Sequence, residues 1–304
     1  MATLPEKIFG SETPRVFTPP LRELTPATSL GFAAVEFAED TLGMTLFPWQ
    51  RWLLIHMLET IEGGDLRFRT VLVLVARQNG KSTLSVAITL FFMYVLGKPL
   101  TIGTAQDLDV AEEIWESAAT VIKENPELNA ELEHITRTNG QKAIRLVTGE
   151  RYKVKAANRR AGRGLSGDLV ILDELREHQD WHAWGAITKT TIAKSSSMVL
   201  ALSNAGDATS VVLRHLRRMA HLALGDPDKL STMDDMTGEL LDAPEEILDQ
   251  EEDDSLGIFE WSAPPGCDIW DRSGRAMANP SMGYTISDRT LSAAARTDPE
   301  WVFK

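Results

Sequence analysis

Apolar and polar positions follow two rhythms along the chain. Residues 69–75 (RTVLVLV) form an unbroken apolar, β-branched run, the pattern of a strand buried on both faces of a parallel sheet. A polar loop, ARQNGKS, follows, then helical periodicity through about residue 96. The alternation repeats. A strand is expected over 100–104 and a helix over 107–124, with Asp107 placed to cap it. Short strands are expected over 135–137, 143–147 and 152–156, with Asn139 and Gly140 suited to a hairpin turn. A strand over 169–172, a helix over 181–193, a strand over 198–202 and a helix over 210–224 complete the series. Helical patterning also precedes the first strand, from Gly31 and again over 49–61. Strands alternating with helices predict an α/β fold with a central, mostly parallel sheet flanked by helices.

The two ends break this rhythm. Residues 1–30 are rich in Pro, Thr and Ser without periodicity and read as an N-terminal arm ahead of a core over 31–225. An acidic linker or insertion is expected over 226–256. A small linker subdomain should follow over 257–304, with a short strand at 257–261, Pro/Gly-rich loops and a last helix from about Ser287. Residues 226–254 hold 8 Asp and 5 Glu against Lys229 alone, and so account for nearly all of the net charge of −13. Residues 137–163 are the reverse: Arg137, Lys142, Arg145, Arg151, Lys153, Lys155, Arg159, Arg160 and Arg163 against Glu150. The acidic average therefore hides a basic stripe that could meet nucleic-acid phosphates. Cys267 is the single cysteine, which rules out an intramolecular disulfide and a Cys-based zinc cluster and points to a reducing compartment. The N-terminus has no apolar signal core, and no apolar run is long enough to span a bilayer.

The chemistry concentrates where strands end. Ala76-Arg77-Gln78-Asn79-Gly80-Lys81-Ser82-Thr83 lies between strand and helix, where inward-turned N–H groups and the helix dipole favour a phosphate. Gly80 lets the backbone approach closely. Lys81 would reach the β and γ phosphates of ATP, and Ser82 would hold Mg²⁺. Val75 stands where such loops usually begin with glycine. The strand at 169–172 runs into Asp173 and Glu174. At the carboxyl edge of the sheet, Asp173 would bind Mg²⁺ through water, and Glu174 would orient and deprotonate the attacking water. Ser203 and Asn204, ending the next strand, could sense the γ-phosphate or simply make a turn. Gln50 could read the adenine edge or sit on a surface helix. Arg77 and Arg163 could stabilise transferring phosphoryl oxygens; Arg163 could equally be a solvated charge or a nucleic-acid contact. His178 and His182 lack an evident third ligand, so no zinc site is expected. A strand between the two motifs and a Glu directly after the Asp resemble the additional-strand, catalytic-Glu (RecA-like) class of P-loop NTPases.

ARQNGKST, LVILDE preceded by GRGLSGD, FPWQ upstream and LSNAG downstream occur in one order over 47–207. This set resembles the ATPase domain of tailed-bacteriophage large terminases, and 278–283 (ANPSMG) resembles the region just before their nuclease domain. The resemblance implies an ATP-hydrolysing, Mg²⁺-dependent motor that translocates double-stranded DNA into a procapsid. It implies Arg77 beside its own subunit's phosphates, Arg163 as a finger entering the neighbouring subunit's site, Ser203–Asn204 as the coupling motif and Gln50 as the adenine reader. Implied partners are double-stranded DNA, the capsid portal protein, the small terminase subunit and copies of itself in a ring, by expectation a pentamer. The implied location is the host cell cytoplasm, transiently at the procapsid portal, with no membrane. A nuclease is not expected from this chain, since the acidic residues 226–254 come too early and lack alternating strands. Two rivals remain: a helicase-like nucleic-acid-dependent ATPase, which would need a second RecA-like lobe, and a nucleotide-binding scaffold without turnover.

Overall fold

The apolar runs assemble side by side. The computed structural model describes residues 7–138, 140–157, 165–230 and 254–297. Its strands, in chain order, are β1 (Val16–Phe17), β2 (Thr70–Leu74), β3 (Leu100–Ala105), β4 (Leu132–Thr136), β5 (Ala143–Leu146), β6 (Arg151–Ala156), β7 (Leu169–Asp173), β8 (Met198–Ser203) and β9 (Leu256–Glu260). They form a nine-stranded sheet in the order β1-β9-β2-β8-β7-β3-β6-β5-β4. Neighbours from β9 through β6 run parallel, and antiparallel pairs are confined to the two ends. In register, Leu74 faces both Ser203 and Glu260, and Ala105 faces Asp173. The carboxyl ends of β9, β2, β8, β7 and β3 therefore share one edge.

Helices cover both faces, which is why the central strands are buried along nearly their whole length rather than on alternate residues. The helices that matter here are α1 (Gly31–Glu36), α2 (Pro48–Met57), α3 (Lys81–Leu90), α4 (Leu108–Glu124), α5 (Pro126–Ala130), α6 (Trp181–Thr188), α7 (Val211–Ala223), α8 (Arg272–Ala278) and α9 (Asp288–Thr297). On one face Val71, Val73, Leu200 and Leu202 pack with Leu53, Leu54 and Leu84 of α2 and α3. On the other, Leu72, Leu74, Ala201 and Ile258 pack with Val212 and Leu213 of α7. Asp107 caps α4 as expected, its side chain accepting the Asp109 N–H.

Three expectations change. Residues 256–260 do not open a separate subdomain: β9 lies parallel beside β2, with Gly257, Ile258, Phe259 and Glu260 buried. The arm is partly woven into the sheet, β1 pairing antiparallel with β9. A Gly-containing stretch read as loop forms α8, where the Asp271 side chain accepts the Ser273 N–H. Asn139 of the expected hairpin turn, residues 231–253 of the acidic segment, and Arg159, Arg160 and Arg163 lie outside the described residues.

Candidate nucleotide site

The loop after β2 is shaped for an anion. Gln78 (φ 62°) and Gly80 (φ 96°) both adopt the left-handed region, and α3 starts at Lys81 without a side-chain cap. Left-handed steps of this kind turn successive N–H groups toward one concavity, where the helix dipole adds positive potential. Arg77, Gln78 and Ser82 are exposed at the loop, and Thr83 is half-buried.

Asn79 faces the other way. It is fully buried, and its Nδ2 lies 3.2 Å from each of the Ala76 carbonyl, the Arg77 carbonyl and Asn279 Oδ1. Its own Oδ1 accepts the Ser281 N–H (2.9 Å), and its carbonyl accepts the Ser281 hydroxyl (2.8 Å). Trp49 Nε1 donates to the same hydroxyl (3.1 Å). The Asn79 side chain is thus a staple for the loop. Asn279 and Ser281 belong to the site's support, a role the sequence did not assign them. The ANPSMG stretch was the available signal.

Gln50 is not on the surface of its helix. It is 1% exposed; its Oε1 accepts the Phe47 N–H (2.8 Å) and its Nε2 donates to the Gly80 carbonyl (2.9 Å). One bond at each end of the amide braces the loop against α2, and a second N–H and a second lone pair are left over. A Cβ at position 80 would lie 2.9 Å from Gln50 Nε2, which with the positive φ explains the glycine.

Lys81 and Asp173 meet at the carboxyl edge. The Lys81 ammonium donates to the Val75 carbonyl (3.3 Å), and no carboxylate among the described residues comes within ion-pair distance. Burial lowers its pKa, while the charges of Asp173 and Glu174 partly restore it. Burial likewise raises the Asp173 pKa, opposed by the Glu174 N–H that donates to its Oδ1 (2.9 Å) and by Lys81. A lysine and a carboxylate held near each other but unpaired leave room for a ligand bearing both phosphate and metal. Asp173 and the Ser82 hydroxyl are hard oxygen donors of the kind Mg²⁺ prefers, so the residues fit that ion. Glu174 takes the left-handed conformation (φ 53°), uncommon for a residue with a side chain, where β7 turns into a 3-10 turn at Leu175–Glu177.

Because β8 lies between β2 and β7, Ser203 sits between the loop and the acidic pair. Its hydroxyl accepts the Arg176 N–H (3.1 Å) and donates to the Asn204 carbonyl (2.9 Å). Arg176 escaped the sequence reading, yet its charge reaches Lys81 and lowers the lysine pKa.

The basic stripe is thinner than its composition. Arg137 pairs with Glu116, Lys142 with Glu112, and Arg145 with Glu133. Arg151, Lys153 and Lys155 on β6 have no such partner among the described residues. They alternate along the strand and so share one face. Crowding shows at Lys153, whose pKa is lowered by burial and then by Arg151 and Lys155. His178 is buried, with neither ring nitrogen bonded among the described residues.

A family model for the ATPase domain of the terminase large subunit matches residues 48–221. The chain is 26% identical over 259 residues to the terminase large subunit of Enterobacteria phage HK97, covering 83% of this chain and 44% of that protein. The crystal structure of the HK97 large terminase superposes with a TM-score of 0.69 at 20% identity, covering 88% of this chain and 51% of that one. The large terminase ATPase domain of Thermus phage P74-26 gives 0.55 at 18% identity, covering 87% and 93%. The chain thus spans about half the length of the HK97 protein.

Proposed function

Since this chain belongs to the family of terminase large subunit ATPase domains, we propose that it hydrolyses ATP to drive double-stranded DNA into a viral procapsid. The observation that supports this most is the approach of unpaired Lys81 to Asp173 and Glu174 at one sheet edge.

In this reading the loop N–H groups and Lys81 take the β and γ phosphates, with Arg77 at their exposed side. Ser82 and Asp173 hold Mg²⁺, which when bound neutralises phosphate charge. Glu174 accepts the proton of the attacking water; its left-handed backbone and the Arg176–Ser203 bond fix where that carboxylate sits. Ser203 and Asn204 link this turn to β8 and so relay the state of the site. Arg163 serves the neighbouring subunit's phosphates in a head-to-tail ring, expected to be a pentamer. Arg151, Lys153 and Lys155 grip the DNA backbone without reading sequence. Partners in the assembled state would be the portal protein and the small terminase subunit, in the host cytoplasm. No described helix is long and apolar enough to cross a membrane. The helicase-like rival is weakened because residues 256–260 complete this sheet instead of starting a second lobe.

The test is steady-state ATP hydrolysis by the wild type and Glu174→Gln. The glutamine variant should bind ATP normally and lose about 10²–10⁴-fold in kcat. Equal, negligible rates in both proteins, in the presence of DNA, would favour the scaffold reading.

A further inference from the structure

A cavity of about 740 Å³ opens between the arm and the α8–α9 region. Among the described residues five cations line it, Lys7, Arg272, Arg275, Arg289 and Arg296, against one carboxylate, Asp288. That carboxylate is shared: Oδ2 takes Arg272 Nε (2.9 Å) and Oδ1 takes Arg275 Nη2 (2.7 Å). Arg289 and Arg296 are exposed and have no carboxylate within ion-pair distance among the described residues. Arg275 is 6% exposed, and its Nε has no hydrogen-bond partner among the described residues. Concentrating like charges in a concave wall, with a buried donor unmet, leaves a site short of an anion.

Two aromatic rings accompany the charges. Trp270 is 49% and Tyr284 46% exposed, both lining the cavity. Tyr284 is held in place by Phe9 and Phe47, with ring centroids 5.2 and 5.3 Å away. Exposed rings beside guanidinium groups suit a ligand that joins a phosphate to a flat base. The volume falls in the range of small-ligand clefts, about 300–1,000 Å³. No lining residue comes from the loop at 76–83 or from the ends of β7 and β8.

We propose that this cavity is a second anion site, which takes a nucleotidyl phosphate, its phosphate on Arg275, Arg289 and Arg296 and its base on Trp270. A free nucleotide and the end of a nucleic-acid strand offer the same chemistry.

The test uses the full chain carrying Lys81→Ala, which disables the phosphate loop, and fluorescence anisotropy of a labelled, 5′-phosphorylated tetrathymidylate. Replacing Arg289 and Arg296 together by Ala should weaken binding at least tenfold and flatten its salt dependence. Trp270→Ala should weaken binding by a similar factor without changing the salt slope. Displacement by thymidine monophosphate at concentrations like those of the unlabelled strand assigns the site to free nucleotides; displacement by the strand alone assigns it to strand ends. Unchanged affinity in the double-arginine variant, with its thermal melt intact, overturns the site. A Trp270→Ala variant that binds as before overturns the nucleotidyl assignment. With Lys81 intact, the double-arginine variant should hydrolyse ATP normally, so this result and that for the phosphate loop are separable.

Discussion

The backbone N–H of Arg176 donates to the Ser203 hydroxyl across 3.1 Å, tying the turn that carries Glu174 to the end of β8. Any shift of β8 relative to β7 therefore moves the proposed base. Ser203→Ala leaves that N–H without its acceptor, a loss worth about 1–3 kcal/mol. If the bond positions Glu174, kcat should fall roughly tenfold or more with little change in KM, since about 1.4 kcal/mol is a factor of ten. Ser203→Thr keeps the hydroxyl and should recover most of the rate. A rise in KM at constant kcat would instead place Ser203 on nucleotide binding.

Gln50 as a loop brace and Gln50 as an adenine reader predict different kinetics. Gln50→Ala removes the bonds to the Phe47 N–H and the Gly80 carbonyl. It should lower stability by about 1–3 kcal/mol and raise KM for ATP and GTP by the same factor. Denaturant unfolding and paired ATP and GTP kinetics check this. A selective loss of ATP preference would assign it the adenine role.

The central strands and their order of motifs were legible because full burial in a parallel sheet forces unbroken apolar runs. The Lys81 loop and the Asp173–Glu174 step were legible because each follows such a run directly. β9 was harder to place. Its LGIFE run follows a long acidic segment, and nothing local reveals that it inserts beside β2 rather than starting something new. The duties of Asn79 and Gln50 were illegible for a related reason. Both lie in motifs associated with nucleotides, and only the tertiary contacts with Ser281 and Gly80 show their amides turned inward.

The pH dependence of hydrolysis should be narrower than free side chains would give. Burial pushes Asp173 upward and Lys81 downward, each toward neutrality. Metal binding needs Asp173 ionised, so activity falls on the acid side as the carboxylate protonates, above the usual carboxylate range. Phosphate binding needs Lys81 protonated, so activity falls on the alkaline side below the usual lysine range. The limbs of kcat/KM against pH report the free enzyme. Lys81→Arg, which cannot deprotonate in this range, should lose the alkaline limb while keeping the acid one. An alkaline limb that survives in Lys81→Arg belongs to another group.

Glu260 ends β9 and gathers the arm, the sheet and α7. Its carboxylate takes Arg217 Nε (2.7 Å) and His221 Nε2 (3.0 Å), with Arg15 Nη2 at 3.3 Å; Arg15 and Arg217 both also reach Asp228. His221, Asp228 and Glu260 could superficially suggest a metal site, but the two guanidinium groups already supply the positive charge. Burial alone would raise the Glu260 pKa; the bonds from His221 and Arg217 outweigh it and hold the group well below the usual carboxylate range. A depressed folded pKa contributes stability that is complete above the unfolded value and is lost as pH falls toward the folded one. Glu260→Gln should therefore cost about 1.5–3 kcal/mol at neutral pH, because it weakens the charge-assisted bonds from Arg217 and His221 while Asp228 still pairs with both guanidinium groups. The gap between wild type and variant should shrink as pH drops below about 4.5, the unfolded value. Urea unfolding of both proteins at pH 7 and pH 3 measures it. An equal gap at the two pH values would show that the ionised carboxylate is not what joins β9 to α7.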